Sequence, residues 1–402
     1  MREINLINNI SACIKRNQNT PRVALSMNFS IINPEKNAGQ YLLMNRLLMK
    51  GTEKYSSEEL SAILDENAIE LYTEMKYDYL RFRFVSLNED FEYSLSILED
   101  IVLNSTFEEF EKEREKLKGE IIAELDSAKV KVSDLFTKTI YKNHFYGHSY
   151  TTVLNEIDNV TFEDVKNGYY EILNNSKKVI ALVGDFDYEQ AEELLNKYLS
   201  KIPTSIEKQA EISVPAPINN EYVEIIKDDA QQAQIIQGWC VEPMSSEDYP
   251  RLMLLNVILG ASGLSSRLFL ELREKKGLAY TVRSSYENHL KSAVFSIYIG
   301  TEPSNIQTSI EGFKEEIEKI KNILVSDEEL TNAKNNIIGK QQFITETNAQ
   351  QSNLMAYYAI SGKSYDYQKQ VIDSIKKVSA EELKACANKY FTEDFVLAIL
   401  KP

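Results

Sequence analysis

Metal and acid–base chemistry would fall first to histidine, and this chain of 402 residues has three of them. His144 and His148 stand four apart in NHFYGHSY, a spacing that on a helix would turn both rings to one face. The aromatics and Gly147 between them, flanked by Asn143 and Ser149, argue instead for a loop. No glutamate lies between the two rings, as a metalloprotease helix would require. His289 stands alone in ENHLKS and reads as a surface turn. Cys13, Cys240 and Cys386 are widely spaced and odd in number, which fits neither a disulfide framework nor a thiolate metal site. There is no Walker loop, no GxGxxG after a strand and no GxSxG elbow. GASGLSSR (260–267) lacks the lysine of a phosphate loop and reads as a helix cap and turn.

The elements that would carry these residues are arranged as a duplication. TTVLNEIDNVTFEDVKNGYYEIL is followed by KKVIALVGDFD, and KQVIDSIKKVSAEELKACANKYF is followed by DFVLAILKP. Thr161 with Asp164, and Ser379 with Glu382, each place a hydroxyl and an acidic residue three apart at the start of an apolar-periodic helix, the pattern of a capping box. Each helix gives way to a short β-rich run, VIALV or VLAIL, suited to the interior of a sheet. Earlier elements match as well. VALSMNFSII (23–32) precedes a helix over 38–49, and AQIIQGWCV (233–241) precedes a helix over 248–259. The alternating DYLRFRFVSL (78–87) has its counterpart in AVFSIYIG (293–300). Helical periodicity fills 107–128 and 305–322.

The expected fold class is therefore α+β, with two homologous domains, 1–205 and 221–402, joined by a proline-bearing linker over 206–220. Each domain is expected to be a mostly antiparallel sheet with helices packed on one face, and two such lobes joined by a linker tend to leave a cleft or chamber between them. A net charge of −16 would repel nucleic acid and anionic membrane surfaces; it serves solubility, or lines a chamber suited to basic peptides. The N-terminus is polar, and no apolar run approaches the ~20 residues that cross a bilayer, so a cytoplasmic protein is expected.

GLSSRLFLELREKKGLAY (263–280) and the following VRSSYENHLKSAVFSIYIGT resemble the C-terminal domain signature of the pitrilysin/insulinase/mitochondrial processing peptidase family. LLMKGTEKYSSEELSAIL (47–64), EREKLKGEIIAEL (113–125) and YGHSYTTVLNEIDNVT (146–161) resemble landmarks of that family's N-terminal domain. The resemblance spans nearly the whole chain and implies the two-lobed fold, a clam-shell half-chamber. It also implies a zinc motif, HxxEH, just before the Lys50-Gly51-Thr52 turn. That slot here is Leu42-Leu43-Met44-Asn45-Arg46, a degenerate LxxNR, and no histidine lies anywhere before His144. Leu42 has no donor, Asn45 cannot take a proton as a general base, and Arg46 is a permanent cation. The family's distant carboxylate ligand aligns with Glu124, which could instead pair with Arg46.

Another pair is retained. Arg273 and Tyr280 match residues that in family members face the zinc site from the opposing domain, where an arginine and a phenol can hydrogen-bond a developing oxyanion. The plain alternative is an arginine in a helix-end ion pair and a packed tyrosine. NAIELYTEM (67–75) matches the edge strand on which peptides dock by strand addition, without the glycines and the Asn-Ala-Tyr run common in active members.

What the resemblance implies is a non-catalytic subunit of a heterodimeric zinc peptidase. An HxxEH-bearing homologue would hold the zinc, this chain would bind no metal or other cofactor, and the substrate would be a peptide. Two alternatives stay open: an inactive peptide-binding or scaffold protein without a peptidase partner, and an autonomous hydrolase built on His144, His148 and Glu124.

Overall fold

The computed structural model describes residues 1–206 and 212–402 and contains two sheets of mixed strands with helices around each. The first is built from β1 (Arg2–Asn5), β2 (Ser11–Arg16), β3 (Arg22–Ser30), β4 (Glu70–Met75), β5 (Tyr79–Leu87) and β6 (Lys178–Gly184), in the order β1-β2-β6-β3-β5-β4. The second uses β7 (Glu221–Ile226), β8 (Ala233–Val241), β9 (Ala279–Asn288), β10 (Ala293–Thr301) and β11 (Val396–Lys401), in the order β7-β11-β8-β10-β9. In each sheet one neighbouring pair is parallel, β2 with β6 and β7 with β11, and the rest are antiparallel. The second order repeats the first strand for strand, without a partner for β1. The duplication read from VIALV and VLAIL is thus a duplication of topology.

Both anticipated capping boxes are formed. Thr161 Oγ1 accepts from the Asp164 N–H at 3.1 Å and Ser379 Oγ from the Glu382 N–H at 3.2 Å, while each carboxylate reaches back to the N-cap amide. The helices run Phe162–Asn175 and Ala380–Tyr390, each ending before the buried strand that follows. The span read as one helix over 107–128 is instead Phe110–Leu125, a break, and a new helix over Ala128–Ile140.

That second helix changes the domain picture. The chain divides into compact units that are not its contiguous halves. One holds Met1–Gly119, Val153–Ile212 and Gln342–Tyr367; the other holds Glu120–Thr152, Ser213–Gln341 and Gln368–Pro402. Each unit thus takes a helical segment from the other half of the chain. The 206–220 linker expected between domains has residues 207–211 outside the described set, and its remainder carries no helix or strand.

The reason lies in the strands. All seven residues of β6 are buried, and strand geometry sends alternate side chains to opposite faces, so both faces must be covered. Val179, Ala181 and Val183 pack with Cys13 against Met355, Ala356, Ala359 and Ile360 of the Asn348–Ile360 helix. Ile180 and Leu182, equally buried, belong to the opposite face. The single helical layer expected on each sheet is therefore joined by a second layer. In the other unit the Ala128–Ile140 helix fills the same role on β8 and β11. There Gly238 of β8 makes room for Phe136, because a Cβ at 238 would stand 2.5 Å from the ring and 2.9 Å from the Phe295 carbonyl oxygen. Elsewhere in that unit Trp239, 1% exposed, donates its indole N–H to the Thr392 carbonyl at 2.9 Å and packs on Phe391.

No described helix is long and apolar enough to cross a membrane. Gly238→Ala should lower the unfolding free energy by about 1–3 kcal/mol, the usual cost of overpacking a filled core. Urea titration checks it, and pairing it with Phe136→Leu should recover part of the loss.

Candidate functional site

The degenerate motif lies on the Gln40–Leu47 helix. Gly39 opens the helix at φ +93°, and the Glu35 carboxylate accepts from the Gly39 and Tyr41 amides at 3.2 and 2.8 Å, satisfying two of the free donors of the first turn. Leu43, Met44 and Leu47 are fully buried and anchor the helix, leaving Leu42, Asn45 and Arg46 on its half-buried side.

What Arg46 holds is Glu113, not the expected Glu124. Its Nε donates to Glu113 Oε2 at 3.0 Å, and Lys50 Nζ takes Glu113 Oε1 at 2.8 Å. Lys50 also lies 3.4 Å from Glu109. Glu113 is 2% exposed. Burial alone would raise its pKa, but the hydrogen bonds from Lys50 and Arg46 outweigh it and hold the carboxyl below the ordinary glutamate range. Glu124 is exposed on the Phe110–Leu125 helix. Asn45, in the slot of the general base, has its Oδ1 buried without a hydrogen-bond partner, while its carbonyl accepts from Thr73 of β4 at 3.1 Å. β4 is an edge strand of its sheet, as read from 67–75, although the strand begins only at Glu70.

Arg273 and Tyr280 are brought together. Arg273 lies in a π-helical turn, Phe269–Lys275. The chain then reverses at Gly277, φ +61°, with the Leu278 N–H donating back to the Leu272 carbonyl at 2.9 Å. This places Arg273 Nη1 2.7 Å from the Tyr280 carbonyl oxygen, to which it donates. The guanidinium stacks over the Phe269 and Tyr280 rings at 4.7 and 4.8 Å. Tyr280 is 78% exposed, so it is not the packed strand residue of the plain alternative. Phe269 was not anticipated from sequence, though it lies four residues before Arg273, the separation at which helical side chains meet.

The histidines form an aromatic cluster rather than a ligand set. His144 Nδ1 accepts from the Tyr146 N–H at 3.1 Å and Nε2 faces the Ser213 carbonyl at 2.9 Å, which assigns the ring as neutral with its proton on Nε2. Both nitrogens are engaged, so the set His144, His148 and Glu124 lacks its first ligand. Burial lowers the His144 pKa, outweighing the Ser213 hydrogen bond, which raises it. His289 lies in the turn between β9 and β10, as expected, but its ring stacks on Tyr146 at 4.3 Å, and burial first, then the neighbouring His144, depresses it to about 4. His148 meets Phe145 edge-on at 5.3 Å. Among the described residues no group of three or more His, Cys, Asp or Glu side chains is placed to hold a metal ion.

Two family models match the chain. One, described as Insulinase (Peptidase family M16), covers residues 13–154; the other, described as Peptidase M16 inactive domain, covers 159–337. The chain is 27% identical over 376 residues to an uncharacterized zinc protease, YmxG, of Bacillus subtilis, covering 92% of this chain and 89% of that one. It is 26% identical over 366 residues to an uncharacterized zinc protease of Rickettsia felis, covering 89% and 86%. In fold it is similar to a protease from Helicobacter pylori, at TM-score 0.90 and 21% identity over 100% of this chain and 99% of that one. It is also similar to a peptidase M16 inactive domain protein from Pseudomonas fluorescens, at TM-score 0.89 and 21% identity over 100% and 97%. This chain belongs to peptidase family M16, and it is a member without the HxxEH motif.

The family implies zinc on the Gln40–Leu47 helix, and the residues present there do not fit it. A hydrocarbon, a carboxamide with its oxygen shut away, and a guanidinium clamped on a carboxylate offer no tetrahedral set of nitrogen and carboxylate donors.

Glu113→Gln should destabilise the chain by about 1–3 kcal/mol at pH 7, because two charged donors lose their ionised acceptor. The sign of the pH dependence follows from the lowered pKa: the carboxylate's contribution is full above the ordinary glutamate range and is lost as the pH falls through the folded value. Denaturation of both proteins at pH 7 and pH 3 should therefore show the gap narrowing in acid.

Proposed function

We propose that the chain is the non-catalytic subunit of a heterodimeric zinc peptidase, and that it supplies Arg273 and Tyr280 to the active site of an HxxEH-bearing homologue. The observation that carries this reading is the pair itself. Arg273 is braced by two rings and a carbonyl, and Tyr280 is left largely in solvent beside it. A braced arginine next to an exposed phenol loses little freedom on meeting a substrate and has an unburied hydroxyl to offer.

The chemistry expected of the pair is charge stabilisation. The partner's metal would activate the attacking water. From this chain, the guanidinium and the phenol hydroxyl would hydrogen-bond the oxygen of the scissile carbonyl as negative charge develops on it. Donors that act mainly at that moment lower the barrier by about 2.7–4 kcal/mol each in comparable oxyanion sites. The degenerate motif on the Gln40–Leu47 helix supports the division of labour, because zinc ligands and base would then come from the partner while this chain closes the chamber and supplies the pair. The substrate in this reading is a peptide, with no role for nucleic acid or membrane. The relatives' description as zinc proteases is compatible with it.

Reconstitution with the HxxEH homologue tests the reading. Arg273→Ala should lower the turnover of the pair at least tenfold while the two chains still co-elute on sizing. Unchanged turnover in an assembled pair would remove the role assigned to Arg273.

A further inference from the structure

Tyr280 does not lie where a regular strand would put it. From Asn288↔Ala293 to Thr281↔Gly300, β9 and β10 pair residue for residue. The register then jumps, and Thr301 stands opposite Ala279. Tyr280 is therefore the additional residue of a β-bulge, with no partner of its own on β10. The bulge reverses its direction. Val282 and Ser284 are buried, and simple alternation along β9 would send Tyr280 to that same buried face, yet it is 78% exposed.

A bulge at the start of an edge strand needs something to hold it, and the side chains around it supply this. Thr301 is 1% exposed, and its Oγ1 donates to the Leu278 carbonyl at 2.6 Å. Ser309, fully buried at the start of the next helix, donates to Thr301 Oγ1 at 3.5 Å. Leu278 is in turn tied by its own N–H to Leu272, whose side chain lies against Gly312 so closely that a Cβ there would stand 2.3 Å away. The bulge is thus fixed two residues before Tyr280 by Thr301 and at the Tyr280 carbonyl by Arg273.

We propose that Thr301 is a positioning residue for the Arg273–Tyr280 pair, acting through the bulge at Tyr280. The proposal rests on the functional reading above. Its hydroxyl keeps the register jump in place, so that the phenol points outward and the Tyr280 carbonyl stays within reach of Arg273. Replacing threonine by valine keeps the shape and removes the donor, leaving the Leu278 carbonyl without this bond. Serine keeps the donor.

The test uses the full chain with fluorotyrosine at position 280, read by fluorine NMR, and the reconstituted pair read by peptide turnover. Thr301→Val should shift or broaden the Tyr280 resonance and lower kcat at least fivefold with KM changed less than twofold. Thr301→Ser should restore both to wild type. Ser309→Ala, which removes only the support behind Thr301, should move the resonance in the same direction by less, and it serves as the readout if the valine variant does not fold. An unchanged Tyr280 resonance in the folded valine variant, or in Ser309→Ala where the valine variant is lost, overturns the proposal whatever the turnover. So does a changed resonance with unchanged turnover in a pair that Arg273→Ala slows. If Arg273→Ala has no effect either, the functional reading has failed, and the resonance alone decides whether Thr301 sets the bulge.

Discussion

Glu113 is a carboxylate with almost no exposed surface, and such a group is strongly unfavourable unless opposite charge and hydrogen-bond donors meet it at once. Arg46 and Lys50 both do, from the end of the Gln40–Leu47 helix and the turn after it. Two cations thus meet the one buried anion, and Lys50 also reaches Glu109. This cluster ties the Gln40–Leu47 helix to the Phe110–Leu125 helix by charge, in the region where the family's motif would tie them through a metal. The fold of the M16 family is kept while the donors that would hold a dication are gone.

The same economy governs the sheets. A strand such as β6, buried along its whole length, must be covered on both faces. Each sheet meets this with its own half's helices and one helix drawn from the other half of the chain. The second sheet carries the bulge that turns Tyr280 outward and the π-helical turn that presents Arg273 beside it. Bulges and π-turns are common at functional sites because each inserts a residue that re-aims a side chain.

Much of this was legible in the residues. The capping boxes at Thr161 and Ser379 and the paired runs VIALV and VLAIL disclosed the duplication, because local hydrogen bonding and burial leave strong marks on a short window. The exchange of helices was not legible. The apolar stripe of 128–140 shows that the helix packs on something, but periodicity carries no address for the partner sheet. The partner of Arg46 was misplaced for a related reason. Glu113 and Glu124 are eleven residues apart on one helix, just over three full turns, so they share a face and lie about 16 Å apart along it. Sequence indicates the face, and only the fold selects the turn. The turn at His289 was legible, but its stacking was not, because its neighbours in sequence say nothing of Tyr146, which packs against it from another segment. The bulge at Tyr280 had no signal at all, since REKKGLAY and the strand after it do not mark where one residue exceeds its partner strand.

Arg46 of the Gln40–Leu47 helix clamps the Glu113 carboxylate where the family's motif would bind zinc. The most direct test of this replacement is the zinc content of the purified chain after equilibration with zinc and dialysis against a weak chelator, read by atomic emission beside an HxxEH homologue. Stoichiometric zinc is expected in the homologue and none retained here. One zinc per chain, lost on substituting Glu113 or Glu124, would contradict it.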